Sequence, residues 1–324
     1  TRSDRSAGLH WWGAGTIGLA HALAQGSHRF RVRNIDLSPD ALGRSGGAAG
    51  LAPAILREPP SDRGDMVRLR QGGLRERLSF LNLARQGRLP TALRQGGVYV
   101  VIGGSGIVGR IVSKRLLSDY AAQVFWVGRS APDSEKVRKA LADVAATVGA
   151  NADRLRYLQA DAVDEAALRA AFDEMRLVHP RIHGVFFSGM VVGADDTIDR
   201  IDPAAFREIV DVKVRGCRAL HAALSDASLD FLCHFSSGQS YAFSGATRLS
   251  AYASGIAFAD SFVRAAAADA PFPVGIVNWG FWRSAVTERV EKMEGISTRS
   301  IHALEDEEGF ACLERFLVEL QSGR

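Results

Sequence analysis

The most constraining feature of this chain is the run Val98-Tyr99-Val100-Val101-Ile102, followed at once by Gly103-Gly104-Ser105-Gly106-Ile107-Val108-Gly109. Five consecutive apolar residues without polar alternation read as a strand buried on both faces, as in a parallel sheet covered by helices. Apolar spacing then predicts a helix from Ile107 to Tyr120. A strand that turns into a helix through glycines brings bare backbone up to a phosphate and aims the first helical amides at it. A β-carbon would stand in the way. Gly103, Gly104, Ser105, Gly106, Ile107 and Gly109 are therefore the expected phosphate-binding residues.

The pattern continues downstream. Strands are expected at Gln123–Val127, Leu155–Ala160, Ile182–Phe187, Leu229–Ser236 and Val274–Trp279. Helices are expected from Glu165 to about Val178, with Asp164 as its cap, and at Pro203–Ser225 and Tyr252–Ala268. Short apolar strands alternating with helices predict an α/β fold with a doubly wound parallel sheet. Residues 1–95 differ in character. They hold one helical stretch at Thr16–Gln25, an extended run at Phe30–Leu37, and a Gly/Ala/Pro-rich tract at Ser45–Pro60 with a short helix near Leu51–Leu56. The change of character near residue 95 divides the chain into 1–95 and a coenzyme-binding part at 96–324.

A second glycine motif, Gly13-Ala14-Gly15-Thr16-Ile17-Gly18, precedes Asp36 by 18 residues, close to the spacing of a ribose-binding acid. It lacks a convincing strand in front, since Gly8-Leu9-His10-Trp11-Trp12 is short. The glycines at 13–18 are thus read as the helix-start turn of a supporting subdomain. The loop at 103–109 is followed 20 residues later by Arg129, within Gly128-Arg129-Ser130. An acid there would accept the ribose hydroxyl of NAD, whereas an arginine neutralises the 2′-phosphate of NADP. NADPH is the expected coenzyme.

Composition narrows the remaining classes. The net charge of +4 comes from scattered residues, mostly arginine, without a basic tract, which argues against nucleic acid. No apolar run reaches the roughly 20 residues needed to span a bilayer. No secretory leader is visible, and a start on Thr1 reads as a piece of a longer polypeptide. Cys217, Cys233 and Cys312 are odd in number and far apart, forming neither a disulfide framework nor a metal site, which fits a reducing cytoplasm.

From Gly97 onward the chain resembles the ketoreductase domain of a modular polyketide synthase, a short-chain dehydrogenase/reductase. The resemblance rests on Gly97–Gly104, Ala160-Asp161-Ala162-Val163-Asp164, Lys213-Val214-Arg215-Gly216, Phe235-Ser236-Ser237, Ser250-Ala251-Tyr252-Ala253 and Asn278-Trp279-Gly280. Gly18–Ala24 with Ile35-Asp36-Leu37 is similar to the family's truncated, coenzyme-free subdomain, which implies a truncated, Rossmann-like structural subdomain at 1–95 and a catalytic one at 96–324. The resemblance implies hydride transfer to a ketone carried by an acyl carrier protein, β-keto rather than α-keto, among neighbouring synthase domains. Tyr252 would donate the proton, although an unperturbed phenol is a reluctant acid with a pKa of about 10. Ser237 would hydrogen-bond the ketone oxygen as charge develops. Lys213, one of five lysines, would supply the compact ammonium that eases the phenol's ionisation. Asp161 and Ala162 would meet the adenine, and Ser188 and Gly189 the nicotinamide ribose.

Three departures qualify the match. Ile256 stands where the family has Asn, one helical turn after Tyr252, and the stretch from Gly238 to Ala251 carries about two residues more than the family's. The acid pair Asp195-Asp196 lies about two residues late for the Leu-Asp-Asp signature of one stereochemical class, while Ser244 occupies the place of the other class's Trp. The alternatives are therefore a silent reductase-like scaffold, or a free-standing reductase or epimerase acting on a soluble substrate.

Overall fold

The computed structural model describes residues 13–26, 30–42, 47–80, 91–191, 197–241, 247–286 and 302–323. The chain divides into two compact units, each discontinuous: the first holds Thr1–Gly87, Val192–Val210 and Gln239–Phe258, and the second Arg88–Val191, Asp211–Gly238 and Ala259–Arg324.

The second unit is built on a six-stranded parallel sheet of β4 (Val98–Ile102), β5 (Gln123–Gly128), β6 (Leu155–Gln159), β7 (Gly184–Phe187), β8 (Phe231–Ser237) and β9 (Val274–Trp279). Their order is β6-β5-β4-β7-β8-β9. Every residue of β4 and β7 is buried, as continuous apolar strands require. The connecting helices are α4 (Ile107–Tyr120), α5 (Glu135–Val148), α6 (Glu165–Val178), α7 (Pro203–Ala223), α8 (Ser250–Ala266) and α9 (Asp306–Gln321). The doubly wound α/β reading is correct. Asp164 caps α6 as expected, its Oδ1 accepting from the Ala167 N–H at 3.1 Å. The sequence reading passed over α5 and α9. Ser134 caps α5, and Val137, Ala140, Val144 and Val148 form its buried face.

Strand order reverses between β4 and β7, and the crevice outside the carboxyl ends of such strands is where α/β sheets bind ligands. Register aligns Ile102 with both Val127 and Phe187, so Gly103, Gly128 and Ser188 leave the sheet side by side. Phe187 pairs with His234, which carries β8 three residues further, to Ser237.

The first unit contains α1 (Gly15–Gly26), α2 (Pro39–Leu42), α3 (Gly47–Arg57) and a small sheet ordered β1 (Asn34–Leu37), β2 (Met66–Leu69), β3 (Arg75–Arg77). β1 and β2 are parallel, and β2 and β3 antiparallel. β2 and β3 were not foreseen. β3 has no apolar residue; Arg75 holds it instead, through a two-pronged pair with the buried Glu58 carboxylate at 2.7 and 2.6 Å. Among the described residues no helix is long and apolar enough to cross a membrane.

Candidate active site

The glycine loop has a shape that only these residues can take. Gly103 lies at φ +84°, the left-handed region, and its N–H donates to the Val127 carbonyl at 2.8 Å. A β-carbon on Gly104 would sit 2.1 Å from Cδ1 of Trp126, a fully buried ring. The Trp126 indole N–H donates to Ser113 Oγ at 2.7 Å, and that hydroxyl donates to the Gly109 carbonyl, also at 2.7 Å. β5 and α4 thus hold the loop from beneath. Ser188 closes it from β7, since both its N–H (3.0 Å) and its hydroxyl (2.9 Å) donate to the Ile102 carbonyl. Gly106 caps α4 without a side-chain acceptor, and the first amides of a helix have no intrahelical partner. Such a cradle fits the phosphates of a dinucleotide.

The neighbouring strand ends add the other expected groups. The Tyr157 hydroxyl donates to the Ser130 carbonyl at 2.7 Å, and Gln159 Nε2 to the Arg129 carbonyl at 3.2 Å. The backbone of residues 129–130 is thereby fixed, while the Arg129 side chain is exposed. Asp161 Oδ1 accepts from the Val163 N–H at 3.1 Å, which shapes the turn holding Ala162.

The carboxyl end of β8 is tied down at three successive residues. Lys213, on α7, is 5% exposed and donates from Nζ to the Phe235 carbonyl at 2.8 Å. Its ammonium also lies 5.0 Å from the centre of the Phe187 ring. Burial pushes the Lys213 pKa down, partly offset by Cys217 and Asp260. The Ser236 hydroxyl donates to Oδ1 of the buried Asp260 at 2.5 Å. Asn278 Nδ2 donates to Asp260 Oδ2 at 2.6 Å and to the Ser237 carbonyl at 3.1 Å. Of the two adjacent serines, Ser236 is therefore turned into the protein toward α8. Strand alternation sends Ser237 to the opposite face. Asp260 was not foreseen. Its signal was a lone carboxylate within the apolar stretch Ala257-Phe258-Ala259-Asp260-Ser261-Phe262-Val263.

Behind Lys213, Cys217 Sγ lies 3.7 Å from His234 Nδ1, and the stacked rings of His234 and His221 approach to 3.3 Å between their Nε2 atoms. Burial pushes the His221 pKa down to about 4 and that of His234 well below the usual imidazole range.

Tyr252 belongs to the first unit, in the opening turn of α8; the helix passes into the second unit after Phe258. That turn packs on α1. A β-carbon on Gly18 would lie 2.1 Å from the Ala253 carbonyl group, and one on Gly15 would lie 3.4 Å from the Ser254 carbonyl oxygen. Asp36, the spacing match for a ribose-binding acid, instead accepts from Arg68 Nε at 2.7 Å across β1 and β2. Ile256 is fully buried. Gly8–Trp12, Asp195-Asp196 and Ser244 lie outside the described residues. The second unit thus brings the glycine loop, Arg129, Ser130, Asp161, Ala162, Ser188, Gly189, Lys213 and Ser237 to one edge of its sheet, and Tyr252 stands in the first.

The KR-domain family model matches residues 97–284, more than half of the chain. The chain belongs to the ketoreductase (KR) domain family of polyketide synthases. Members of this family are oxidoreductases acting on a ketone. This KR domain is 34% identical over 268 residues to polyketide synthase ThaG of Burkholderia thailandensis, covering 83% of the chain and 4% of ThaG. It is 30% identical over 235 residues to polyketide synthase PksM of Bacillus subtilis, covering 70% of the chain and 5% of PksM. The chain therefore spans a small fraction of the curated relatives it matches. Among solved structures, the A-type ketoreductases from a modular polyketide synthase match with a TM-score of 0.76 at 22% identity, over 95% of this chain and 62% of theirs. The ketoreductase of a keto acid-selecting nonribosomal peptide synthetase module matches at 0.79 and 19% identity, over 94% of this chain and 25% of that one. At these identities the structural matches speak to the fold.

Proposed function

We propose that this KR domain reduces a ketone on an acyl chain tethered to an acyl carrier protein, with NADPH as coenzyme and a β-keto group as the preferred substrate. The observation that carries the reading is the buried Lys213, bonded to the Phe235 carbonyl two residues before Ser237 at the carboxyl edge of the sheet. An ammonium is costly to bury, and this one is placed beside the strand end that bears the candidate serine.

The coenzyme supplies hydride to the carbonyl carbon. The amides from Ser105 to Gly109 hold its phosphates, the Arg129 guanidinium takes the 2′-phosphate, Ser130 and Asp161-Ala162 flank the adenosine, and Ser188-Gly189 flank the nicotinamide ribose. Ser237 donates a hydrogen bond to the ketone oxygen, stabilising the negative charge that grows there. Tyr252 delivers the proton to that oxygen, and the Lys213 charge favours the phenolate left behind. Residues 1–95 act as the structural subdomain, and neighbouring synthase domains are the partners.

A silent scaffold is the second reading, favoured by the buried Ile256 in place of the family's Asn. The test follows NADPH oxidation with a simple β-ketothioester and, beside it, an α-ketothioester. The wild-type protein should turn over the β-keto compound. Tyr252→Phe should lose about 100-fold to 10,000-fold in rate with NADPH affinity unchanged. NADPH binding without oxidation of either substrate by the wild type would leave only the scaffold.

A further inference from the structure

We propose that Asp260 is a positioning residue for the reduction, locking the end of β8 that presents Ser237 and setting the charge environment of Lys213. The inference rests on the ketoreductase reading above.

The geometry is specific. Asp260 is 2% exposed and lies two helical turns beyond Tyr252 on α8. Its two oxygens serve two different strands: Oδ1 accepts from Ser236 on β8 and Oδ2 from Asn278 on β9. Ser236 and Asn278 are register partners, so one carboxylate clamps a single rung of the sheet. The same Asn278 amide reaches the Ser237 carbonyl, so holding the amide in place also holds the serine's backbone. Without Asp260, the buried Ser236 hydroxyl would lose its acceptor and the half-buried Asn278 amide one of its two, so the serine would turn to find another and the amide would be held less firmly. Misplacing a reacting group by about 1 Å costs on the order of 100-fold in rate.

Asp260 also acts through charge. Asp260 grips Ser236, the residue after the carbonyl that holds Lys213, and its charge acts on the ammonium together with Cys217 of α7 and His234 of β8, while the Phe187 ring of β7 lies against it. Of these, Asp260 is the carboxylate. Around Asp260 itself stand Lys213, Cys217 and Arg264, whose Nη2 is 4.0 Å away. Burial depresses the Lys213 pKa and Asp260 raises it, so removing the carboxylate lets the lysine lose its proton at lower pH.

The experiment uses the whole chain, labelled with 13Cε-lysine, with the Lys213 resonance assigned by its loss in Lys213→Met. In Asp260→Asn the Lys213 titration should move to lower pH than in the wild type. With NADPH and a β-ketothioester, kcat should fall on the order of 10-fold to 100-fold, its alkaline limb should move to lower pH, and KM for NADPH should hold within about twofold. Asn278→Ala keeps the carboxylate but removes both the amide donor to Asp260 Oδ2 and the link to Ser237. There kcat should fall on the order of tenfold, and the amides of residues 236–238 should exchange hydrogen faster, with the Lys213 titration near that of the wild type. This second variant also decides the matter if Asp260→Asn does not fold. An unmoved Lys213 titration in a folded Asp260→Asn protein, or unchanged exchange at 236–238 in Asn278→Ala, overturns the role. Neither readout needs turnover. An inactive wild type that shows both changes would therefore defeat the ketoreductase reading and keep the clamp.

Discussion

The chain carries two glycine motifs of nearly the same spelling, and their surroundings put the glycines to opposite uses. At 103–109 the missing side chain of Gly104 makes room for Trp126 beneath the loop, and no side chain caps the start of α4. At 13–18 the missing side chain of Gly18 is filled by the Ala253 backbone, so α1 and the opening turn of α8 lie in contact. The residue that stands at the ribose-acid position after each motif also differs. Asp36 is paired with Arg68, whereas the place after β5 holds an exposed arginine. A glycine motif is thus a statement about closeness, and what comes close is decided by the elements around it.

Substitutions that add one methyl group to each motif should separate the two uses. The largest effect is expected from Gly104→Ala. The new β-carbon would meet Trp126, which has no free space to move into. Stability should fall by about 3 kcal/mol or more, and NADPH affinity, followed by coenzyme fluorescence, should drop on the order of 100-fold, or about 3 kcal/mol. Gly18→Ala should come next, with a loss of about 1–3 kcal/mol in thermal unfolding and a lower kcat through the displaced turn of Tyr252. NADPH affinity should stay unchanged, and a parallel loss of it would break the contrast. Arg129→Ala should have the smallest effect. The preference for NADPH over NADH should shrink on the order of tenfold, with stability untouched. An unaltered preference would remove Arg129 from the coenzyme site.

Most of the second unit was legible because its strands are continuous apolar runs and its turns are marked by glycine. β4, β5 and β9 and helix α4 fall where apolar spacing places them, to within a residue. β2 and β3 were not legible because they are short: Met66-Val67-Arg68-Leu69 buries only Val67 and Leu69, and Arg75-Glu76-Arg77 has no apolar residue and is held through the Arg75 ion pair with Glu58. In the candidate site, sequence supplied the residues that face outward, such as Gly103 and Ser237. It missed those behind them. Ser113, Trp126, Asp260 and Asn278 act through contacts between segments far apart in the chain, and no local pattern announces such contacts.

The first unit's three separate stretches have a consequence in time. Its opening stretch ends at Gly87 and its closing stretch at Phe258. At roughly 5–20 residues per second, a ribosome takes about 10 to 30 seconds to make the chain between them. Until then α1 emerges without the turn of α8 that covers Gly18. A truncation that ends before Ala253, or one that begins after Gly18, therefore leaves half of that contact unmade. Gene fragments meant to keep it must span both residues.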